Sequence, residues 1–139
     1  MSRETVSTDS FGRIADRMHF AQGVKANGLM FCSGVIGFDK ATGKACESAE
    51  DEFRAAFENI GELLGAAGAG FDDIVEMTTY HVAAATRDED GANMAAFGKV
   101  KDEFLGAEPP FPAWTGITVS GLALPGSRAE IRIVAKLPD

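Results

Sequence analysis

The chain has 139 residues, a formal net charge of −8 and 24% charged residues. This length fits one domain, 1–139, and 45% hydrophobic residues are enough to form a core without disulfides or metal. The acidic balance argues against nucleic acid as a partner, because binding to a phosphate backbone needs clustered Lys and Arg.

The N-terminal segment is polar. Residues 1–16 have no apolar stretch typical of a signal peptide, and they predict a loosely structured arm with at most one edge strand. No run in the chain approaches the roughly 20 apolar residues of a membrane helix, so no membrane partner is expected. The two cysteines, Cys32 and Cys46, have no metal-ligand spacing. We therefore expect a cytoplasmic protein with two reduced thiols.

Two strands and a helix are predicted in the first half. Residues 18–39 predict two strands joined at Asn27-Gly28, a strong hairpin turn signal. The second strand, LMFCSGVIGF, is apolar on both faces, which favours burial on both sides of a sheet. Ser48 can cap a helix that ends at the glycines of GAAGAG. Apolar residues repeat along one face of this helix: Phe53, Phe57, Ile60, Leu64 and Ala67.

The second half predicts a strand at 73–83, a helix at 88–104 and two strands at 113–122 and 128–137. The helix places Met94, Phe97, Val100 and Phe104 on one face, and the prolines at 109, 110 and 112 stop it. This order indicates an α+β fold, with a single mixed β-sheet of five or six strands and two helices packed on one face.

That architecture leaves the second face of the sheet uncovered. In the last strand Ile131, Ile133 and Ala135 share one face, whereas Glu130, Arg132 and Val134 share the other. The strand after Asn27-Gly28 is also apolar on its second face. A half-covered sheet with apolar residues on its open face indicates an oligomer.

The sequence has no nucleophile elbow, P-loop or dinucleotide-binding fingerprint, and no pattern that calls for a cofactor or metal. His19 and His81 are far apart and fit half-buried strand residues better than ligands. Glu130 stands in an otherwise apolar strand. It is either a solvated or salt-bridged residue beside Arg132 or a carboxylate enclosed at a subunit interface, where desolvation raises its pKa towards that of a general base.

Trp114, the only tryptophan, follows the rigid segment PPFPA and opens a strand. A tryptophan in this place is either a core residue or the wall of a pocket. Its neighbours in the second case include Phe20, Phe31 and Phe111. The sequence by itself leaves both interpretations open.

Several segments together resemble a known family. AQGV, FCSGVIGFDKATGK, AFENIGELLGAAGAGFDDIVEMTTY, FPAWTGITVSGLALPG and AEIRIVAK follow the order and spacing of the Rid family (reactive intermediate deaminases, also called YjgF-type) over roughly residues 18 to 137. The resemblance implies a chorismate-mutase-like fold and a homotrimer with ligand sites in the clefts between subunits. Archetypal members hydrolyse 2-imino acids to 2-keto acids and ammonia without a cofactor.

Four positions of the family's site are kept in this chain. The serine-glycine pair of the second strand matches Ser33 and Gly34, and the asparagine of the second helix matches Asn93. The glutamate of the last strand, which positions or activates water, matches Glu130. The resemblance therefore implies that Glu130 is catalytic and that the other three bind substrate.

Other positions of the site are exchanged. Trp114 falls where the family keeps the arginine that grips the substrate carboxylate, and Phe20 replaces a tyrosine. Gly116 falls where a cysteine is often found. Arginine offers a bidentate fork to a carboxylate, whereas tryptophan offers one N–H and an apolar face. Arg132, two residues after Glu130, is a candidate to restore the lost positive charge.

These exchanges leave several functions open. The first is hydrolysis of an imine or enamine other than a small 2-imino acid, with Trp114 stacking on a flatter or less anionic substrate. The second is a non-catalytic trimer that binds a small ligand in the same cleft. The third is the endoribonuclease or translation-inhibitor activity attached to some family names, against which the acidic charge argues.

Overall fold

A computed structural model describes residues 3–139 of the chain. It contains a six-stranded sheet, three helices and a short 3-10 helix at Phe71–Asp73. The strands are β1 (Glu4–Val6), β2 (Gly23–Ala26), β3 (Leu29–Cys32), β4 (Ile74–Val82), β5 (Ala113–Val119) and β6 (Ala129–Lys136). The helices are α1 (Gly12–Met18), α2 (Ala49–Ala66) and α3 (Arg87–Leu105).

The strand order in the sheet is β1-β2-β3-β6-β4-β5. Only the β4–β5 pair is parallel, because α3 crosses between these two strands, and the other neighbours are antiparallel. The sheet is therefore mixed, and the predicted α+β fold is confirmed. Strand β6, which carries Glu130, lies in the middle of the sheet, whereas β5, which carries Trp114, lies at one edge.

Both long helices begin at a side-chain cap, which was predicted for α2 at Ser48 and not for α3 at Thr86. The Ser48 Oγ accepts a hydrogen bond of 3.1 Å from the Asp51 N–H, and the Thr86 Oγ1 accepts one of 3.1 Å from the Glu89 N–H. Each first turn carries three acidic residues, where negative charge suits the helix dipole. Helix α3 ends at Leu105, just before Gly106 and ahead of the prolines.

The core lies between α2, α3 and one face of the sheet. Phe97 of α3 packs edge-to-face on Phe53 of α2, with ring centroids 5.3 Å apart. Ile131 and Ile133 of β6 and Met77 of β4 face these helices and are buried. Each large apolar side chain removed from water contributes about 1.5–3 kcal/mol, so this layer fixes β6 and β4 against the helices.

The other face of the sheet is uncovered in the single chain. Glu130 and Arg132 lie on it, since the alternate residues of β6 face the core. Phe31 of β3 pairs with Val134, and Ile117 of β5 pairs with Tyr80, so both share this face. Phe31 is 41% exposed and Ile117 is 40% exposed. We call this surface the open face.

Several details differ from the sequence predictions, among them His19, which is the exposed C-cap of α1 and not a half-buried strand residue. The arm predicted at 1–16 contains β1, but it also runs into α1, so the chain has three helices and not two; Met1 and Ser2 lie outside the described residues. The strand predicted to continue beyond Cys32 stops there, and only Val35 bridges to Ile131. Met94, expected in the buried stripe of α3, is 42% exposed. No helix in the described residues is long and apolar enough to cross a membrane.

Candidate functional site

Glu130 packs against the backbone of the segment that follows β3. A Cβ atom added to Gly34 would lie 2.6 Å from the Glu130 Cδ and 2.9 Å from its Cγ and Oε1. Val35 and Ile131 hold the two segments together through a pair of N–H···O hydrogen bonds of 2.8 Å each. A glycine is therefore required at position 34 for the carboxylate to lie where it does.

Ser33 is fixed beside Gly34 by two hydrogen bonds. Its Oγ donates to the Ala21 carbonyl at 2.6 Å, and its N–H donates to the Gln22 carbonyl at 2.8 Å. Phe20, Ser33 and Gly34 line one small cavity of about 20 Å³. The structure thus places Phe20, Ser33 and Gly34 beside one another, and it places Glu130 beside Gly34.

Trp114 belongs to a second group of side chains, on the helix-covered face of the sheet. Its Nε1–H donates a hydrogen bond of 2.9 Å to the Thr79 Oγ1, and its ring stacks on Phe97 with centroids 6.0 Å apart. The ring is nevertheless 43% exposed. The indole N–H, which the sequence analysis considered as a donor to a ligand, therefore donates to a residue of the same chain. Only the apolar ring faces outward.

His81 continues this hydrogen-bonded chain. Its Nε2 lies 2.7 Å from the Thr79 Oγ1. The Thr79 hydroxyl accepts from Trp114 and still has a second lone pair and its own proton, so it accepts from or donates to His81 Nε2 according to the tautomer of the imidazole. Burial lowers the pKa of His81 below its usual value, which favours the neutral imidazole. Asn93 lines a cavity of about 100 Å³ together with His81, so Asn93 belongs to the same group.

Within one chain, the side chains around Glu130 and those around Trp114 do not meet. Trp114 pairs with Met77, which pairs with Ile133, so all three face the helices. Glu130 pairs with Tyr80 on the opposite face of the sheet. Side chains on opposite faces of a sheet are separated by its backbone.

Arg132 lies on the open face with Glu130. It pairs with Thr78 of β4, whereas Trp114 faces the helices. Arg132 therefore does not supply a positive charge at Trp114 within one chain.

Sequence reasoning missed Thr79, His81 and Lys101 as neighbours of Trp114. The Lys101 Nζ lies 5.4 Å from the centre of the Trp114 ring. The period of two along β4 places Thr79 and His81 on one face, and the period of four along α3 places Lys101 next to Phe97. The missing information was the parallel pairing of β4 with β5. Within residues 3–139, no three His, Cys, Asp or Glu side chains converge as metal ligands do.

Comparison with known proteins shows which family the chain belongs to. The sequence model described as Endoribonuclease L-PSP matches residues 12–137. The chain belongs to this family. It is the Rid, or YjgF-type, family that the sequence motifs resemble.

Relatives in the L-PSP family agree with this assignment. The chain is 32% identical over 120 residues to RutC family protein YjgH of Escherichia coli, covering 86% of this chain and 84% of that one. It is 33% identical to the chloroplastic Reactive Intermediate Deaminase A of Arabidopsis thaliana, over 99% of this chain and 67% of the relative. The mouse 2-iminobutanoate/2-iminopropanoate deaminase is 31% identical over 84% of this chain and 79% of its own length.

Solved structures match over the whole fold. A structure described as protein YJGH superimposes with a TM-score of 0.83 at 27% identity, covering 100% of this chain and 99% of that one. A probable translation initiation inhibitor from Rhodopseudomonas palustris gives a TM-score of 0.79 at 25% identity, covering 99% and 100%. The L-PSP family fold of this chain is thus supported by sequence and by structure.

Proposed function

We propose that the chain hydrolyses an imine or enamine to a carbonyl compound and ammonia, with no cofactor. The observation that carries the proposal is the packing of Glu130 against Gly34, beside the fixed Ser33. This arrangement keeps a carboxylate at a defined place on the open face. The relatives named as deaminases support the same class of reaction.

In the proposed reaction, water adds to the carbon of the C=N bond. Glu130 accepts a proton from the water as the new C–O bond forms, and the nitrogen gains a proton. The resulting carbinolamine loses ammonia as the C–N bond breaks and the C=O bond forms. The sum is C=N plus water giving C=O plus ammonia, which needs no oxidant or reductant.

The proposal includes a homotrimer in which neighbouring subunits complete each site. Within one chain Glu130 and Trp114 occupy opposite faces of the sheet, so a second copy is needed to bring the two groups together. Exposed apolar residues on the open face, such as Phe31 and Ile117, support contact between copies. The three-fold arrangement itself comes from the resemblance to the Rid family.

A cytoplasmic location, suggested by two free cysteines, belongs to the same proposal.

The proposed substrate is not a small 2-imino acid. Trp114 takes the place of an arginine, and its one N–H donates to Thr79. Hydrogen bonds to a charged group contribute about 1.5–3 kcal/mol each, so losing a bidentate pair weakens binding of a small anion by about 100-fold or more. The exposed indole ring favours a flatter substrate instead.

The test is ammonia release from freshly generated imines by the wild type and by Glu130→Gln. We expect Glu130→Gln to release ammonia about 100-fold or more slowly than the wild type and still to bind the imine, because general base catalysis contributes about 10²–10⁴-fold. Glu58→Gln, an exposed carboxylate of α2, is the matched control and should keep the wild-type rate.

Two results would reject the proposal. Equal rates for Glu130→Gln and the wild type would remove Glu130 from the chemistry. Ligand binding with no turnover of any imine would favour the non-catalytic trimer. RNA cleavage is not proposed, since the net charge of −8 opposes binding to a phosphate backbone.

A further inference from the structure

A third cavity lies next to Trp114, between the end of α3, the loop that follows it and the start of β5. Its volume is about 370 Å³, which is within the usual range of small-molecule sites. Its walls include Met77, Lys101, Leu105, Phe111, Pro112 and Trp114. Glu130, Ser33 and Gly34 are not among its lining residues, so it is separate from the group around the carboxylate.

The walls of this cavity suit a flat apolar group. Trp114 is 43% exposed and Phe111 is 56% exposed, and both contribute to the lining. The Trp114 N–H is turned away to Thr79 and Phe97 stacks on one face of the ring, so the ring offers the cavity its other, apolar face and no polar atom. Aromatic rings in offset or edge-to-face contact attract each other beyond the effect of the apolar area that they bury.

The lining also holds one positive and one negative charge, on Lys101 and Asp102. The Lys101 side chain is only 17% exposed, and its Nζ lies 2.9 Å from the Asp102 Oδ1 and 5.4 Å from the centre of the Trp114 ring. An ammonium group has three donors, and Asp102 takes one of them. Two donors remain for the carboxylate of a ligand, although the charge of Asp102 opposes its approach.

We infer that this cavity binds an aryl-substituted carboxylate, with its ring between Trp114 and Phe111 and its carboxylate on Lys101. Lys101 then replaces the missing arginine as the anion anchor, and the substrate class is a 2-imino acid with an aromatic side chain. That the substrate carries an imine rests on the proposed imine hydrolysis. The binding of an aryl carboxylate in this cavity does not depend on that proposal.

Trp114 reports on its own cavity, because it is the only tryptophan in the chain. Its fluorescence, excited at a wavelength that a phenyl ring does not absorb, is titrated with 3-phenylpropanoate and with butanoate. We expect 3-phenylpropanoate to change the emission and to bind at least about tenfold tighter than butanoate, since the ring buries more apolar area. Equal affinities, or no change with either ligand, would overturn the inference.

Four variants test the proposed contacts while keeping the fluorophore. Lys101→Met should weaken 3-phenylpropanoate by about tenfold, whereas Lys99→Met, an exposed lysine of the same helix, should leave its affinity unchanged. Phe111→Ala should weaken the binding of 3-phenylpropanoate, because one wall of the cavity is removed. Asp102→Asn should tighten it, because a negative charge beside Lys101 is removed. An unchanged affinity for Lys101→Met, or a weaker one for Asp102→Asn, would contradict the assignment.

Turnover separates this inference from the proposed function. Ammonia release is measured with 2-imino-3-phenylpropanoate, generated from phenylalanine by an amino acid oxidase, and with 2-iminobutanoate. Tight binding of 3-phenylpropanoate without hydrolysis of any imine would leave the cavity assignment standing and reject the proposed function. Hydrolysis of 2-iminobutanoate with no binding of 3-phenylpropanoate would reject the cavity assignment and the exclusion of small 2-imino acids, whereas imine hydrolysis itself would stand.

Discussion

At the scale of single residues, His81 makes stability depend on pH. Burial lowers its pKa in the folded chain below 6.5, so the unfolded chain takes up a proton first as the pH falls. The contribution of neutral His81 is complete above pH 6.5 and is lost as the pH falls through the folded value. We expect the free energy of unfolding, measured with urea between pH 8 and pH 5, to decrease in this window.

His81→Gln should remove part of that decrease, because glutamine does not titrate and its amide group can still form a hydrogen bond with the Thr79 hydroxyl. The matched variant is His19→Gln, since His19 is exposed. If both variants keep the wild-type pH dependence, His81 is not its source.

Gly34→Ala tests the link between the backbone and Glu130. The new Cβ would lie 2.6 Å from the Glu130 Cδ, closer than real contacts allow, so the carboxylate must move. Overpacking of this kind costs about 1–3 kcal/mol in stability. On the proposed function, ammonia release should fall more than the loss of folded protein explains, which is checked by measuring the rate well below the unfolding temperature.

Gly98→Ala of α3 is the control for Gly34→Ala. No atom lies within 4 Å of its added Cβ, and alanine is favoured over glycine in a helix by about 1 kcal/mol. It should raise stability and leave the rate unchanged. A Gly34→Ala protein with the wild-type rate would show that the position of Glu130 does not matter.

The candidate site was only partly predictable from single residues. Ser33, Gly34 and Glu130 were predicted because family motifs carry them, and the structure brings them together. The partner of the Trp114 N–H was not predictable, because Thr79 lies 35 positions away and meets Trp114 only through the pairing of β4 with β5.

At the scale of elements, α2 is tied to the start of β6 by a buried ion pair. The Glu52 side chain is 1% exposed, and its Oε1 lies 2.8 Å from the Arg128 Nη1. Its Oε2 accepts from the N–H groups of Arg128 at 2.7 Å and Ala129 at 3.3 Å. This contact fixes the end of β6 that immediately precedes Glu130.

Arg128→Met should destabilise the fold by about 3–5 kcal/mol, because it leaves the Glu52 carboxylate buried without its cation. Urea unfolding at pH 7 measures the loss. The double variant Glu52→Gln with Arg128→Met should recover part of it. A loss below about 1 kcal/mol for Arg128→Met would mean that water reaches Glu52.

The elements differ in how well their sequences predict them. Helix α2 was predicted within one or two residues because Ser48 caps it and a long apolar stripe follows. Helix α3 was predicted within one residue at each end from its apolar spacing and from the prolines that follow it. Helix α1 was missed because it has seven residues, no side-chain cap and one buried residue, Ala15. Such a short helix forms through its tertiary contacts, which a local pattern does not contain.

At the scale of the whole molecule, the open face is the part of the fold that the single chain leaves unexplained. It carries the exposed apolar residues Phe31 and Ile117 beside the charged Glu130 and Arg132. The alternation of β6 predicted this surface correctly. A charge held among exposed apolar residues is typical of a surface that another subunit covers, which agrees with the proposed homotrimer.

Phe31→Asp tests this assembly directly. We expect the wild type to have about three times the 14.6 kDa mass of the chain in solution, measured by light scattering after gel filtration. Phe31→Asp should shift the mass towards one chain, because burying an unpaired carboxylate at an interface costs several kcal/mol. On the proposed function, ammonia release should fall with the loss of trimer, since the site would lose its second subunit.

The control is Ile14→Asp, which changes an apolar residue of α1 that is 49% exposed and should keep the wild-type mass and rate. A wild-type protein with the mass of one chain that still releases ammonia would reject both the trimer and the shared site.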